Sequence, residues 1–419
     1  MNTVYLAGTA VADQNYPAEV SEEIASLALK EGTFNLYGVD DVLAIERQIR
    51  SPATWIIFPA TPYSHLCLKL WSSCDDGLYF TRETSVCTNY LLEGLAFNRQ
   101  FAPQVYLGIA PVQLLAERKL YCGKIIPFPE KEKLEKDRPY ALVMRRLPDS
   151  WRLDHYLYDG KQLYNGTLAT YQGMDFLARS IAEIHGQLKS ATTALDTLRY
   201  TEEKLSLNRE LFKKALYMLK ADMETCKYIN SLMERAYRQL TKLFEERIRQ
   251  KHIKRCHGDL KTANLWVQPE NTGDNGFEKR ERQLLLLDCV DFDARFCNID
   301  TLSDVAMLAV DLEMRIDRAS LRNVTSHRGK TQALSFLRNY LYYASEQDKE
   351  ETWRLLEYYM TEKAMICAYM SVLYDRLFTY GRRYVEVALS HANSLERHLE
   401  NGLSAVPKRK TGPLPAHSR

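Results

Sequence analysis

The chain has 419 residues, 46% of them hydrophobic and 26% charged, with a formal net charge of +2. That length predicts two or three packing units, and the charge balance excludes a broad basic field for nucleic acid or an anionic membrane. No apolar run is long enough to cross a bilayer. The first twenty residues lack the basic segment and apolar stretch of a secretory leader. Nine scattered cysteines without a CxxC pair predict neither disulfides nor a zinc site, so a reducing cytoplasm is the expected compartment.

In chain order, residues 18–31 read as a short amphipathic helix, with Ile24, Leu27 and Leu29 among charged neighbours. Two apolar β-type runs follow, 55–58 and 65–71, and the proline-containing stretch 59–64 between them predicts a hairpin. A helix is expected over 84–101, stopped by Pro103. Strands are expected at 105–111 and 140–147, on either side of a charged, solvated loop at 130–138. Past Pro148 helical periodicity dominates: one helix near 168–188, two across 197–250, and more from 299 to 400. Short strands at 255–293 interrupt this run, themselves broken by a polar turn at 269–282. The division expected is a β-rich lobe over 1–147, a helical lobe over 148–402 and a disordered tail over 403–419.

The strongest chemical signal is His257-Gly-Asp-Leu-Lys-Thr-Ala-Asn264, followed by Asp288 at the end of the apolar run 284–287. Singly, Asp259 or Asn264 reads as a turn cap. As an ordered set they match phosphoryl transfer, which needs a carboxylate to position an acceptor hydroxyl and oxygen ligands for a metal that neutralises the triphosphate. Asp259 suits the first task. Asn264 and Asp288 offer the neutral and anionic oxygens that magnesium accepts.

These residues, in HGDLKTANLW and LLLDCVDFD, resemble the aminoglycoside phosphotransferase-like kinases, and within them the phosphotransferase domain that bacteria often fuse to a P-loop ATP-binding domain. The resemblance extends to Asn98-Arg-Gln-Phe-Ala-Pro-Gln-Val-Tyr-Leu-Gly-Ile-Ala-Pro-Val112, to Tyr140-Ala-Leu-Val-Met-Arg-Arg-Leu-Pro148 and to Ile299-Asp300 with Val310-Asp-Leu-Glu313, spanning about residues 50–390. It implies an α+β, protein-kinase-like two-lobed fold with a small antiparallel sheet lobe, a large helical lobe and a hinge near 144–150. It also implies Asp259 as catalytic base, Asn264 and Asp288 as magnesium ligands, Lys69 as the lysine on the ATP phosphates and Glu93 as the carboxylate pairing with Lys69. Glu83, on the same segment, is the alternative partner. On pattern alone Lys69 reads as a surface lysine of an edge strand, although a lysine between apolar neighbours on a buried strand needs a partner.

The sequence departs from that family in two places. No glycine-rich phosphate loop is present, and prolines at 59 and 62 remove backbone donors where the group has a glycine-containing turn. No G-x4-G-K-[ST] string occurs either. Asp291 and Asp293 read equally as ligands or as solvated residues, whereas Asp300 and Asp304 are expected to cap a helix and brace the catalytic loop. His185 and His257 read as structural. Arg145 and Arg146 fall in the hinge.

The resulting expectation is an ATP- and magnesium-dependent kinase acting on a small-molecule hydroxyl, such as a sugar or amino sugar, with no nucleic-acid or membrane partner. The alternative is a pseudokinase-like module that binds nucleotide or docks a partner. Activation-loop and APE-type signals are missing, which argues against a protein kinase.

Overall fold

Strand alternation builds the first lobe. In β3 (Leu66–Trp71) successive side chains take opposite faces: Leu66 and Leu68 enter an apolar core with Ile57, Leu107, Ala141 and Val143, while Cys67 and Lys69 face a cleft. β1 (Asp41–Arg50), β2 (Thr54–Pro59), β4 (Tyr106–Ala116), β5 (Lys119–Cys122) and β6 (Tyr140–Arg145) join β3 in an antiparallel sheet that closes on itself in the order β1-β2-β3-β6-β4-β5. β1 contains a register shift between Ile45 and Arg47. A bulge of this kind moves later side chains to the other face, so Leu43 and Ile45 point into the core but Arg47 and Ile49 line the cleft. α1 (Thr84–Asn98) packs Leu91 and Leu95 beside Tyr106, Ile109 and Leu142. Its end is fastened by Arg99, which donates to the carbonyls of Tyr106, Leu107 and Pro127 at 2.8, 2.6 and 2.6 Å.

The computed structural model describes residues 39–404 except 52, 75–77, 80, 117, 159–170, 192–193, 270, 273–278, 281 and 320–327. The helix expected at 18–31 lies outside the described residues, as does the tail from 405 onward.

The second lobe is mainly helical. It comprises α2 (Leu153–Tyr158), α3 (Tyr171–Gln187), α4 (Ala194–Leu219), α5 (Met223–Arg249), the short α6 (Ala294–Cys297), α7 (Thr301–Ala319), α8 (Arg328–Tyr343), α9 (Glu350–Tyr369) and α10 (Phe378–Ser404). Every residue from 301 to 315 is buried, so α7 is a central helix covered on all sides. A wider helical turn, Met370–Tyr374, ends α9. Two small ribbons sit where the lobes meet. β7 (Ile253–Arg255) pairs with β10 (Asn298–Asp300), and β8 (Leu265–Gln268) pairs with β9 (Gln283–Leu286). Within the polar segment expected as a turn, Asn271–Thr272 pairs with Lys279–Arg280.

The architecture is the expected α+β arrangement of a small antiparallel lobe and a large helical one. β1 and β5 are additions to the elements read from the sequence, and the strand expected at 105–111 continues to Ala116.

Candidate active site

The loop between β7 and β8 carries Asp259 and Asn264, and the backbone leaving β9 carries Asp288. Gly258 opens the loop in the left-handed region, at φ +83°. An added Cβ there would stand 2.4 Å from the Phe296 carbonyl oxygen, so glycine is required both sterically and conformationally. The amides of His257 and Gly258 donate to the two oxygens of Asp304, at 3.1 and 2.9 Å. Asp304 also meets His185 Nε2 at 3.1 Å, and the other ring nitrogen of His185 reaches the Tyr340 hydroxyl at 2.8 Å. Burial pushes the Asp304 carboxyl up, but His185 and these donors override it and hold it below the ordinary carboxylate range. Asp304 thus braces the loop, and His185 braces Asp304. His185, Cys256 and Asp304 lie close enough for a metal, but the oxygens of Asp304 are already engaged by loop amides.

His257 is fully buried and its two ring nitrogens have separate tasks. Nδ1 accepts the Asp259 amide at 3.2 Å, which leaves Nε2 to donate to the Leu287 carbonyl at 2.9 Å. The imidazole therefore ties the 257–264 loop to the strand end that bears Asp288. Further along, the amide and hydroxyl of Thr262 donate to Asp311 Oδ2 at 2.9 and 2.5 Å, and Asp311 is held in turn by Arg315 and Tyr384.

Asp259 is 1% exposed. Lys261 Nζ lies 2.9 Å from its Oδ1, and Asn264 Nδ2 donates to its Oδ2 at 3.0 Å and to its backbone oxygen at 2.9 Å. With the Asn264 nitrogen committed to Asp259, the amide oxygen remains for the cleft that Asn264 lines together with Asp288. Asp288 stands at φ +60°, a strained setting for a residue with a Cβ. Its amide donates to the Tyr106 hydroxyl at 2.9 Å, and the next amide, of Cys289, donates to Asn98 Oδ1 at 3.0 Å. Tyr106 and Asn98 are buried residues of the first lobe, so both lobes hold this turn in place.

Lys69 reaches across the cleft. Its Nζ is 2.6 Å from Asp288 Oδ1, 3.6 Å from Asp291 Oδ2 and 5.3 Å from the centre of the Trp71 ring. Burial alone would lower the Lys69 pKa, but Asp288 and Asp291 override it and keep the ammonium charged. Burial would likewise raise Asp288, and Lys69 overrides it in the other direction. Asp291 retains the effect of burial, partly opposed by Lys69, and is pushed up to about 6.

The carboxylate partner expected for Lys69 is corrected by this geometry. Glu93 does not meet Lys69: its side chain is 61% exposed and lies 3.7 Å from Arg255. Glu83 does not replace it, being exposed at the start of α1. The α1 residue packed toward this region is Gly94, which carries no carboxylate. Of the two remaining acids, Asp293 caps α6 by accepting the Arg295 amide at 2.9 Å, and Asp291 faces Lys69. Asp300 accepts the Leu302 amide and a two-pronged Arg247 guanidinium, so it caps α7 and anchors α5.

The cleft between the lobes is lined by Lys69, Asn264 and Asp288, by apolar residues including Ile56, Leu142, Met144 and Leu287, and by Arg47, Arg145, Arg146 and Arg152. Arg146 pairs with Glu46 at 3.1 Å, and Arg47 lies over the Phe58 ring at 4.1 Å. Behind Asp259 a second, smaller cavity is walled by Tyr79, Phe292, Phe296, Met307 and Tyr369. Sequence reading missed Arg47, because β1 itself went unread. It also passed over Lys261, although it lies inside the quoted string, because nothing in the pattern shows that its ammonium meets Asp259.

The donor set at Asn264 and Asp288, one amide oxygen and one carboxylate, fits a hard cation such as magnesium. Among the described residues no helix is long and apolar enough to cross a membrane. No family model matches the chain, and no curated protein does. Among solved structures, the chain is similar to the GDP complex of wild-type aminoglycoside 2'-phosphotransferase-IIIa (14% identity, TM-score 0.40, covering 91% of this chain and 99% of that one). It is also similar to choline kinase from Cryptosporidium parvum Iowa II (10% identity, TM-score 0.47, 93% and 98% covered). A third is a glucosamine kinase (14% identity, TM-score 0.46, 91% and 84% covered).

Proposed function

We propose that this chain is an ATP- and magnesium-dependent phosphotransferase that moves the γ-phosphoryl group to a hydroxyl of a small molecule. One observation carries the reading: Lys69 of the first lobe, with Asn264 and Asp288 of the second, lines one cleft, and Asn264 Nδ2 links that cleft to the buried Asp259. Magnesium held by Asn264 and Asp288 would neutralise charge on the phosphate oxygens. Lys69 adds a fixed ammonium, and the guanidinium-rich lining favours a polyanionic ligand.

Asp259 takes the proton of the acceptor hydroxyl as that oxygen bonds to the γ-phosphorus and the bond from phosphorus to the β-bridging oxygen breaks, releasing ADP. Asn264 Nδ2 and Lys261 Nζ occupy one direction on each Asp259 oxygen and so fix the carboxylate for this transfer. The acceptor lies beside Asp259, on the side of the smaller cavity. Asp375 lies close enough for Lys261 and Asp259 to affect its titration; burial pushes its carboxyl up to about 6. The acceptor in this reading is a sugar, amino sugar or similar polar metabolite. Nine cysteines, all unpaired, are in keeping with a cytoplasmic location.

The test is ATP consumption with a panel of sugars, amino sugars and amino alcohols, with Asp259→Ala as the blank. Acceptor-dependent turnover in the wild type and not in the variant supports the reading. Equal negligible turnover with every acceptor, both proteins being folded, overturns it in favour of a nucleotide-responsive docking module.

A further inference from the structure

Lys69 has two carboxylates, and the proposed reaction occupies one of them. Asp288 is nearer, but as a metal ligand it cannot also remain the ammonium's permanent partner. Asp291 is free of that duty. It is 4% exposed, and its Oδ2 lies 3.6 Å from Lys69 Nζ with no hydrogen-bond partner among the described residues. A buried carboxylate oxygen without a hydrogen bond is costly unless a charge compensates it, and Lys69 is the cation at hand.

α1 is shaped around this acid. Gly94 is the buried residue of α1 that passes Asp291, and a Cβ built there would stand 2.5 Å from Asp291 Oδ2 and 3.3 Å from its Cβ and Cγ. Any side chain at position 94 would displace the carboxylate. The gap has no helical reason, because glycine inside a helix costs roughly 0.5–1 kcal/mol relative to alanine. The helix therefore gives up stability where it makes room for Asp291, while its own acid, Glu93, turns outward.

We infer that Asp291 is the standing counter-ion of Lys69, a positioning residue that keeps the ammonium aimed at the triphosphate, and that Gly94 is the vacancy in α1 that admits it. The inference rests on the phosphotransferase reading. Without Asp291 the only carboxylate left at Lys69 among the described residues is Asp288, and nucleotide must break that pair to enter.

The experiment is calorimetric titration of ADP, with and without magnesium, into wild type, Asp291→Asn, Gly94→Ala and Glu93→Gln, with steady-state kinetics on each. Asp291→Asn should bind ADP about tenfold or more weakly in both conditions, and its KM for ATP should rise by more than its kcat falls. Gly94→Ala should reproduce this with Asp291 still present, which keeps the test open if Asp291→Asn does not fold, and Glu93→Gln should match wild type. Wild-type affinity in Asp291→Asn or Gly94→Ala overturns the inference and leaves the phosphotransferase reading standing. A loss confined to magnesium-containing samples overturns it by making Asp291 a metal ligand. A wild type that binds no nucleotide removes both.

Discussion

The Gly258 amide donates to Asp304 Oδ1 at 2.9 Å, so the left-handed bend of the 257–264 loop hangs from the first turn of α7. Asp304 accepts a second loop amide and a histidine as well. Replacing it by alanine leaves buried donors unsatisfied, and hydrogen bonds to a charged group are each worth about 1.5–3 kcal/mol. Asp304→Ala should therefore lower unfolding free energy by at least about 2 kcal/mol in urea denaturation. Asp304→Asn should lose less stability, because the amide still offers one acceptor.

Two glycines should respond oppositely to alanine. At Gly258 the methyl would meet the Phe296 carbonyl at 2.4 Å and Val290 Cγ2 at 2.6 Å, on a backbone with φ +83°. Gly258→Ala should abolish turnover and lower Tm sharply. At Gly186, inside α3, a Cβ meets nothing within 4 Å. Gly186→Ala should raise stability by about 0.5–1 kcal/mol through helix propensity, read as an upward Tm shift with activity unchanged.

The two acids of the proposed reaction should separate kinetically. Asp259→Ala should keep nucleotide affinity within a small factor of wild type and reduce turnover by about a hundred- to ten-thousand-fold. Asp288→Ala should lose magnesium-dependent nucleotide binding while its circular dichroism stays native. Unchanged magnesium–ATP affinity in that variant would remove Asp288 from the metal site.

A fourth test uses pH alone. His391 on α10 lies between Glu357, 2.7 Å from Nδ1, and Glu313, 3.2 Å from Nε2. Burial on its own would lower its pKa, but the two carboxylates override this and raise it from 6.5 to about 9. A histidine raised on folding contributes stability that is complete below its unfolded pKa and disappears as pH climbs through the folded value. Wild-type Tm should therefore fall between pH 6.5 and 9, and the fall should be shallower in His391→Gln. Parallel curves for the two proteins would show that the triad does not titrate in this range.

The lobes and the placing of the 257–264 string at the cleft were legible because their signals are local. The apolar runs at 55–58 and 65–71, the run at 284–287 and the helical periods beyond Pro148 all belong to segments that fold against their own neighbours in sequence. β1 was missed because Glu46, Arg47, Gln48 and Arg50 break its alternation where the bulge moves side chains to the other face. Closing the sheet through β5 depends on pairing with residues some 75 positions away. The partner of Lys69 was misread for a different reason. A carboxylate on α1 and one past β9 look alike in a string, and only the space over Gly94 distinguishes them.

The closed order of the six strands limits how this protein could meet another. Each of the six has a neighbour on both sides, but β1 pairs with β5 only over Asp41–Ala44 and with β2 only over Ile45–Arg50. Among the described residues an extended peptide therefore finds only short stretches of open ladder in the first lobe, a brief footing for β-augmentation and for edge-to-edge aggregation. A protein that docks on this lobe therefore relies chiefly on side chains of its outer surface. Such a contact is sensitive to point substitution in a way that backbone pairing is not, and surface variants of β1 and β5 would be the place to look for it.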